Sequence, residues 1–131
     1  MYAMFQDKPM HTVLPAADLE RAIQWYSDNL GLEPAERIEY AGAYYESGGS
    51  RFLIYETQNA GTNMATAAGF DVDNFDEVVE HLRSKGVVFE EVDFGDLGTT
   101  VDGVIETPDG SMKGAWFRDS EGNIISLSKR A

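Results

Sequence analysis

One segment of this chain occurs twice, and that recurrence restricts the fold more than any other feature. The stretch Ala65–Asp76, ATAAGFDVDNFD, reads as a short apolar strand, Ala67–Val72, running into a helix capped at Asn74. The stretch His11–Leu19, HTVLPAADL, does the same and runs into a helix capped at Asp18. His11 precedes its cap by seven residues, Ala67 precedes its cap by seven, and the two lie fifty-six apart. A strand–helix–strands unit is therefore repeated within 131 residues. That length suits a single domain, 1–131, with a core of useful size. Module one covers about 10–57 and module two about 65–129.

In module one, alternation along the strand His11–Pro15 puts His11 and Val13 on one face and Thr12 and Leu14 on the other. Leu19, Ala22, Ile23, Tyr26 and Leu30 recur at spacings of three and four, one buried helical stripe that Gly31 stops. Arg37–Tyr40, Ala43–Glu46 and Arg51–Glu56 read as strands, the last two joined by a Ser47–Ser50 turn. The polar stretch Thr57–Met64 is the crossover between modules.

In module two, Asn74 with Glu77 predicts a capping-box variant. Phe75, Val78, Val79 and Leu82 form the helical stripe, and Gly86 ends it. Val87–Val92, Val104–Thr107, Lys113–Arg118 and Ile124–Lys129 read as strands, with turns at Pro108–Gly110 and Asp119–Asn123. The glycine-rich, acidic loop Asp93–Gly103 is long enough to lie over a site. The expected architecture is α+β: two tandem βαβββ modules whose curved sheets enclose a shared cavity, with helices outside.

Charge and composition exclude several functions. Ten Lys and Arg stand against 23 Asp and Glu, a net charge of −13. Such a field repels nucleic acid and anionic membranes, so neither is an expected partner. No apolar run reaches the roughly 18 residues a membrane helix needs. The start MYAMFQDKPM lacks a basic region followed by an apolar one, so a cytoplasmic location is expected. The absence of cysteine removes disulfides, thiolate metal sites and cysteine nucleophiles. There is no GxSxG elbow and no phosphate-cradling glycine loop.

The runs HTVLPAADLERAIQWYSDNLGLEP, GFDVDNFDEVVEHLRSKGVVFEE and GAWFRDSEGNIISL resemble the vicinal oxygen chelate superfamily, the glyoxalase, bleomycin-resistance and extradiol dioxygenase group. The resemblance extends from His11 to Ser128. It implies a divalent metal held by equivalent strands of the two modules, acting as a Lewis acid on neighbouring substrate oxygens. It also implies pairing of modules within or between chains, and hence a homodimer. Residue by residue, however, the ligand positions fall on His11, Leu53, Ala67 and Ser126. Only His11 is a good donor, and three or four N/O donors are needed. Glu56, the nearest carboxylate, has the opposite strand parity to Leu53. No metal and no cofactor are therefore expected.

Strand parity instead assigns the cavity wall to His11, Val13, Leu53, Tyr55, Ala67, Gly69 and Ser126. The strand Lys113–Arg118 adds either Ala115 and Phe117 or Trp116, a choice parity leaves open. Such a wall, mostly apolar with a few hydroxyls and one imidazole, resembles the metal-free binding members of the family. The expected function is binding or sequestration of a small, largely apolar molecule. The alternative is a lyase or isomerase of the glyoxalase type, metal-dependent or using His11 or Tyr55 as its catalytic group. His81 reads as a solvated residue on an exposed helix face.

Overall fold

A computed structural model describes residues 4–39 and 41–130 of the chain. Strands β1 (Thr12–Ala16), β2 (Glu36–Ile38), β3 (Gly42–Ser47) and β4 (Ser50–Glu56) form one sheet in the order β1-β4-β3-β2. Strands β5 (Thr66–Asp71), β6 (Val104–Glu106), β7 (Lys113–Arg118) and β8 (Ile124–Lys129) form a second in the order β5-β8-β7-β6. In each sheet the first strand pairs parallel to the last, and the other pairings are antiparallel. Helix α1 (Leu19–Trp25) and helix α2 (Phe75–Ser84) follow β1 and β5. The repeat seen in the sequence is thus a tandem βαβββ fold. The two sheets stay separate and do not close on one another. Among the described residues, no helix is long and apolar enough to cross a membrane.

Several local expectations are refined. The Asp18 side chain accepts from the Arg21 amide at 3.1 Å and caps α1. The helix then widens into a π turn, Tyr26–Leu30, which ends at Gly31 in the left-handed conformation (φ 67°). Asn74 makes no capping bond to the backbone; its amide donates to Glu77 Oε2 at 3.3 Å. Val87–Val92 is not a strand. It touches β7 at a single bridge, Phe89 to Phe117, and by the Glu90 amide donating to the Trp116 carbonyl at 2.8 Å. The reason is that β6 already pairs with the first half of β7, Lys113–Ala115. The second strand begins at Glu36, not Arg37, and the expected Tyr40 end lies outside the described residues.

One core serves both modules. Leu14, Ala16, Tyr45 and Ile54 from the first sheet join Ala115, Phe117, Ile125 and Leu127 from the second, with Phe75, Val79 and Leu82 of α2. Helix α1 spans the join. Tyr26 packs on Tyr45 and Phe52, while Trp25 stacks on Phe117 with ring centres 6.2 Å apart. At Gly42 (φ 135°) any Cβ would run into the Ile54 carbonyl oxygen, so that position of β3 admits only glycine.

The turn Asp119–Asn123 locks the modules together. The Tyr26 hydroxyl donates to Asp119 Oδ2 at 2.6 Å, and Asp119 Oδ1 accepts from the Glu121 and Asn123 amides, both at 2.9 Å. Burial, reinforced by the Asp119 charge, drives the Tyr26 hydroxyl pKa far above its usual value. Asn123 Nδ2 donates to the Pro15 carbonyl of β1 at 2.9 Å. Glu121 Oε1 accepts from the Ala17 and Asp18 amides at 2.9 and 3.0 Å, and Arg21 grips both carboxylate oxygens at 2.9 Å. These bonds hold the Glu121 carboxyl at a pKa of about 2, the Arg21 hydrogen bond being the largest cause.

Because this folded-state pKa is depressed, the stabilisation is complete above the ordinary value of 4.5 and is lost as pH falls toward 2. Glu121→Gln is expected to cost on the order of 1–3 kcal/mol at pH 7. Melting curves followed by circular dichroism should show the gap to wild type narrowing below pH 4.5. A gap that stays constant down to acid would remove the ionic account.

Candidate functional site

Each sheet has one face packed on helices and one face left open. In β1 and β4, Leu14, Phe52 and Ile54 turn toward the helices, and Val13, Leu53 and Tyr55 take the other face. Val13 pairs with Leu53, Pro15 with Tyr55, and Leu53 also with Tyr44 of β3. Val13 is 46% exposed and Tyr55 37%, so this face is uncovered in the single chain. His11 lies just before β1, exposed, with its ring 5.8 Å from that of Tyr44. The Arg51 guanidinium sits 4.1 Å from the centre of the Tyr44 ring and donates to Glu36 at 3.2 Å.

On the second sheet, Ser126 pairs with Gly69 on one side and Trp116 on the other. A Cβ at Gly69 would collide with the Ser126 hydroxyl, so glycine leaves that hydroxyl room over the strand. Trp116 meets Phe94, from the loop after α2, at 5.1 Å. The glycine-rich loop therefore does reach the open face. Met64, Phe94, Trp116 and Ile124 help line a cleft of about 380 Å³ there.

Two expected wall residues sit elsewhere. Phe117 is fully buried on the helix face between Trp25 and Phe89, and Trp116 takes the open position. A β-bulge between Thr66 and Ala68 leaves Ala67 without a partner, and its methyl packs against the core. The expected shared cavity is likewise altered, because the sheets do not close. The cleft between them, about 300 Å³, is lined by Thr12, Leu14, Phe52, Ala68, Phe70 and Ile125, largely helix-side residues. His11, Val13, Leu53 and Tyr55 thus gather on one open face, and Gly69, Trp116 and Ser126 on the other. Tyr44 is the functional-face residue that sequence reasoning missed. The alternation in AYYES could have found it, since Ala43 and Tyr45 are buried and Tyr44 lies between them.

The register also bears on metal chemistry. Val13 and Gly69, two residues on from His11 and Ala67, pair with Leu53 and Ser126, so Leu53 and Ser126 are equivalent. One imidazole and one hydroxyl among four such positions do not fit a catalytic divalent ion. Glu56 cannot make up the set: no register slip occurs, and its carboxylate accepts from the Leu19 amide at 3.0 Å, at the start of α1. Among the described residues no group of three or more His, Asp or Glu is placed to hold a metal.

The comparisons agree with this architecture. The model of the glyoxalase/bleomycin resistance protein/dioxygenase superfamily matches residues 8–127. A lactoylglutathione lyase of Haemophilus influenzae is 36% identical over 115 residues, 77% of this chain and 85% of that protein. A trivalent organoarsenical cleaving enzyme of a Bacillus species is 27% identical over 120 residues, 88% of this chain and 69% of that protein. Among solved structures, a lactoylglutathione lyase from Agrobacterium tumefaciens superposes with a TM-score of 0.69 at 20% identity, covering 94% of this chain and 93% of that one. The chain belongs to the glyoxalase/bleomycin resistance protein/dioxygenase superfamily.

Proposed function

We propose that this protein binds a small, largely apolar molecule against its open sheet faces, through a metal site that has degenerated. What carries the reading is the uncovered face of Val13, Tyr44, Leu53 and Tyr55, with the His11 imidazole beside it. Each square ångström of apolar surface a ligand buries is worth roughly 25 cal/mol. An anion would need a free cation, but Arg51 is already engaged by Glu36 and Tyr44. A fluorescence screen using Trp116 should therefore favour neutral aromatic compounds. For a hit on the first sheet, Tyr55→Ala should weaken binding roughly tenfold, about 1.4 kcal/mol, as read by calorimetry. Preferential binding of phosphonates or glutathione conjugates would contradict this.

The same donor set implies that no stoichiometric catalytic metal is held. A native-state ligand raises melting temperature by mass action. Nickel or zinc should therefore leave the melting temperature unchanged at physiological salt, and His11→Ala should leave metal content unaltered. About one transition metal per chain, lost in His11→Ala, would favour the second reading instead. That reading, a glyoxalase-type lyase or isomerase using His11 or Tyr55, draws support from the 36% identity to a lactoylglutathione lyase.

We further propose that the working unit is a homodimer in which a second copy covers sheet edges and apolar side chains left exposed in the single chain. Support comes from Val13 and Tyr55 and from the preceding arm, where Met4, Phe5 and Met10 are 57%, 77% and 98% exposed. Burying such apolar surface is the usual basis of a symmetric pair. Sedimentation at micromolar concentration should show a species of twice 14.5 kDa, and a monomer alone would end the idea.

A further inference from the structure

A larger cleft lies on the helix side and uses none of the open-face residues. Its volume is about 850 Å³, within the range of small-molecule sites. One wall is the π turn after α1, from Ser27 to Leu30, and the other is α2. Between them the floor is apolar: Phe70, Val72, Val78, Leu82 and Leu127. The wide π turn ends at left-handed Gly31, which turns the chain away before it can fill the space between the helices.

The rim has one sign of charge. Asp28, Asp71, Glu77 and Glu80 line it, and no Lys or Arg does among the described residues. The ion pairs seen elsewhere leave all four carboxylates out. Among the described residues, Asp28 takes only the Gln24 amide at 2.8 Å, and Glu77 only that of Asn74 at 3.3 Å. His81 is the single imidazole at the edge, so it lines a cleft as well as facing solvent. An anion entering here would meet uncompensated like charge. A neutral apolar molecule would cover the floor while stripping water from the carboxylates. A cation with an apolar body satisfies both parts of the site.

We propose that this cleft binds a monovalent organic cation with an aromatic or alkyl body, its charge at the Asp71, Glu77 and Glu80 rim and its body on Phe70, Val72 and Leu127. The proposal concerns a different place from the open sheet faces, so the two stand or fall separately.

A matched series isolates the charge: 4-phenylbutylammonium, 4-phenylbutanol and 4-phenylbutyrate, titrated into the full chain and followed by amide NMR shifts. The ammonium compound should move amides of Ser27–Leu32 and Asn74–Ser84 and leave those of Val13, Leu53 and Trp116 in place. It should bind about fivefold tighter than the alcohol, the scale of a partly screened charge contact. The advantage should vanish near 0.3 M salt, where the screening length is only several ångströms. Asp71→Asn/Glu77→Gln/Glu80→Gln should abolish the preference, and the single exposed change Glu80→Lys should reduce it without touching the core. Equal binding of alcohol and ammonium overturns the proposal, as do shifts confined to the open faces or a triple variant that binds as wild type does.

Discussion

The buried carboxylates of the turn between β7 and β8 hold the two halves of this molecule to each other. Asp119 receives the Tyr26 hydroxyl and two amides of its own turn, and Glu121 receives two amides and a guanidinium from the start of α1. The Glu121 side chain has no exposed surface, so its charge must be met by partners within the fold. Those partners come from residues a hundred positions earlier in the chain. The turn can only be satisfied when α1 sits at the foot of the second sheet, and α1 can only sit there when β1 has delivered it.

That seating determines where the open faces are. With Tyr26 on Tyr45 and Phe52, and Trp25 on Phe117, the helix-side surfaces of both sheets are used up in one core. Every second residue of β1, β4, β7 and β8 is then left on the opposite side. They include Val13, Leu53, Tyr55, Trp116 and Ser126, together with Arg51 and Arg118, whose charges are met by Glu36 and Glu90. Four carboxylates without a salt-bridge partner among the described residues lie instead around the cleft between the π turn and α2. The molecule therefore separates two chemistries. An aromatic surface whose arginines are paired lies on the open sheet faces, and an acid-rimmed apolar cleft on the helix side.

The metal question follows the same geometry. Leu53 and Ser126 occupy equivalent places, and Glu56, one step along from Tyr55, is taken up at the N-terminus of α1. The fold alone does not decide what chemistry such positions carry.

The sequence by itself determined the repeat, both helices, the Asp18 cap and the parity of β1 and β4, because these depend on spacings of two, three and four residues. Parity alone puts Val13, Leu53 and Tyr55 on the side opposite the buried Leu14 and Ile54. It could not choose between Trp116 and Phe117, since GAWFR is apolar at both parities; the choice falls to Trp25, which stacks on Phe117 from another module. Nor could it anticipate the bulge at Ala67, or that Val87–Val92 would be denied a full strand, because both depend on which neighbour already holds the edge or the register. The space between the sheets is an open cleft for a related reason. Strand pattern specifies the faces of each sheet, but the distance between two sheets is decided by the helix and buried carboxylates packed where they meet.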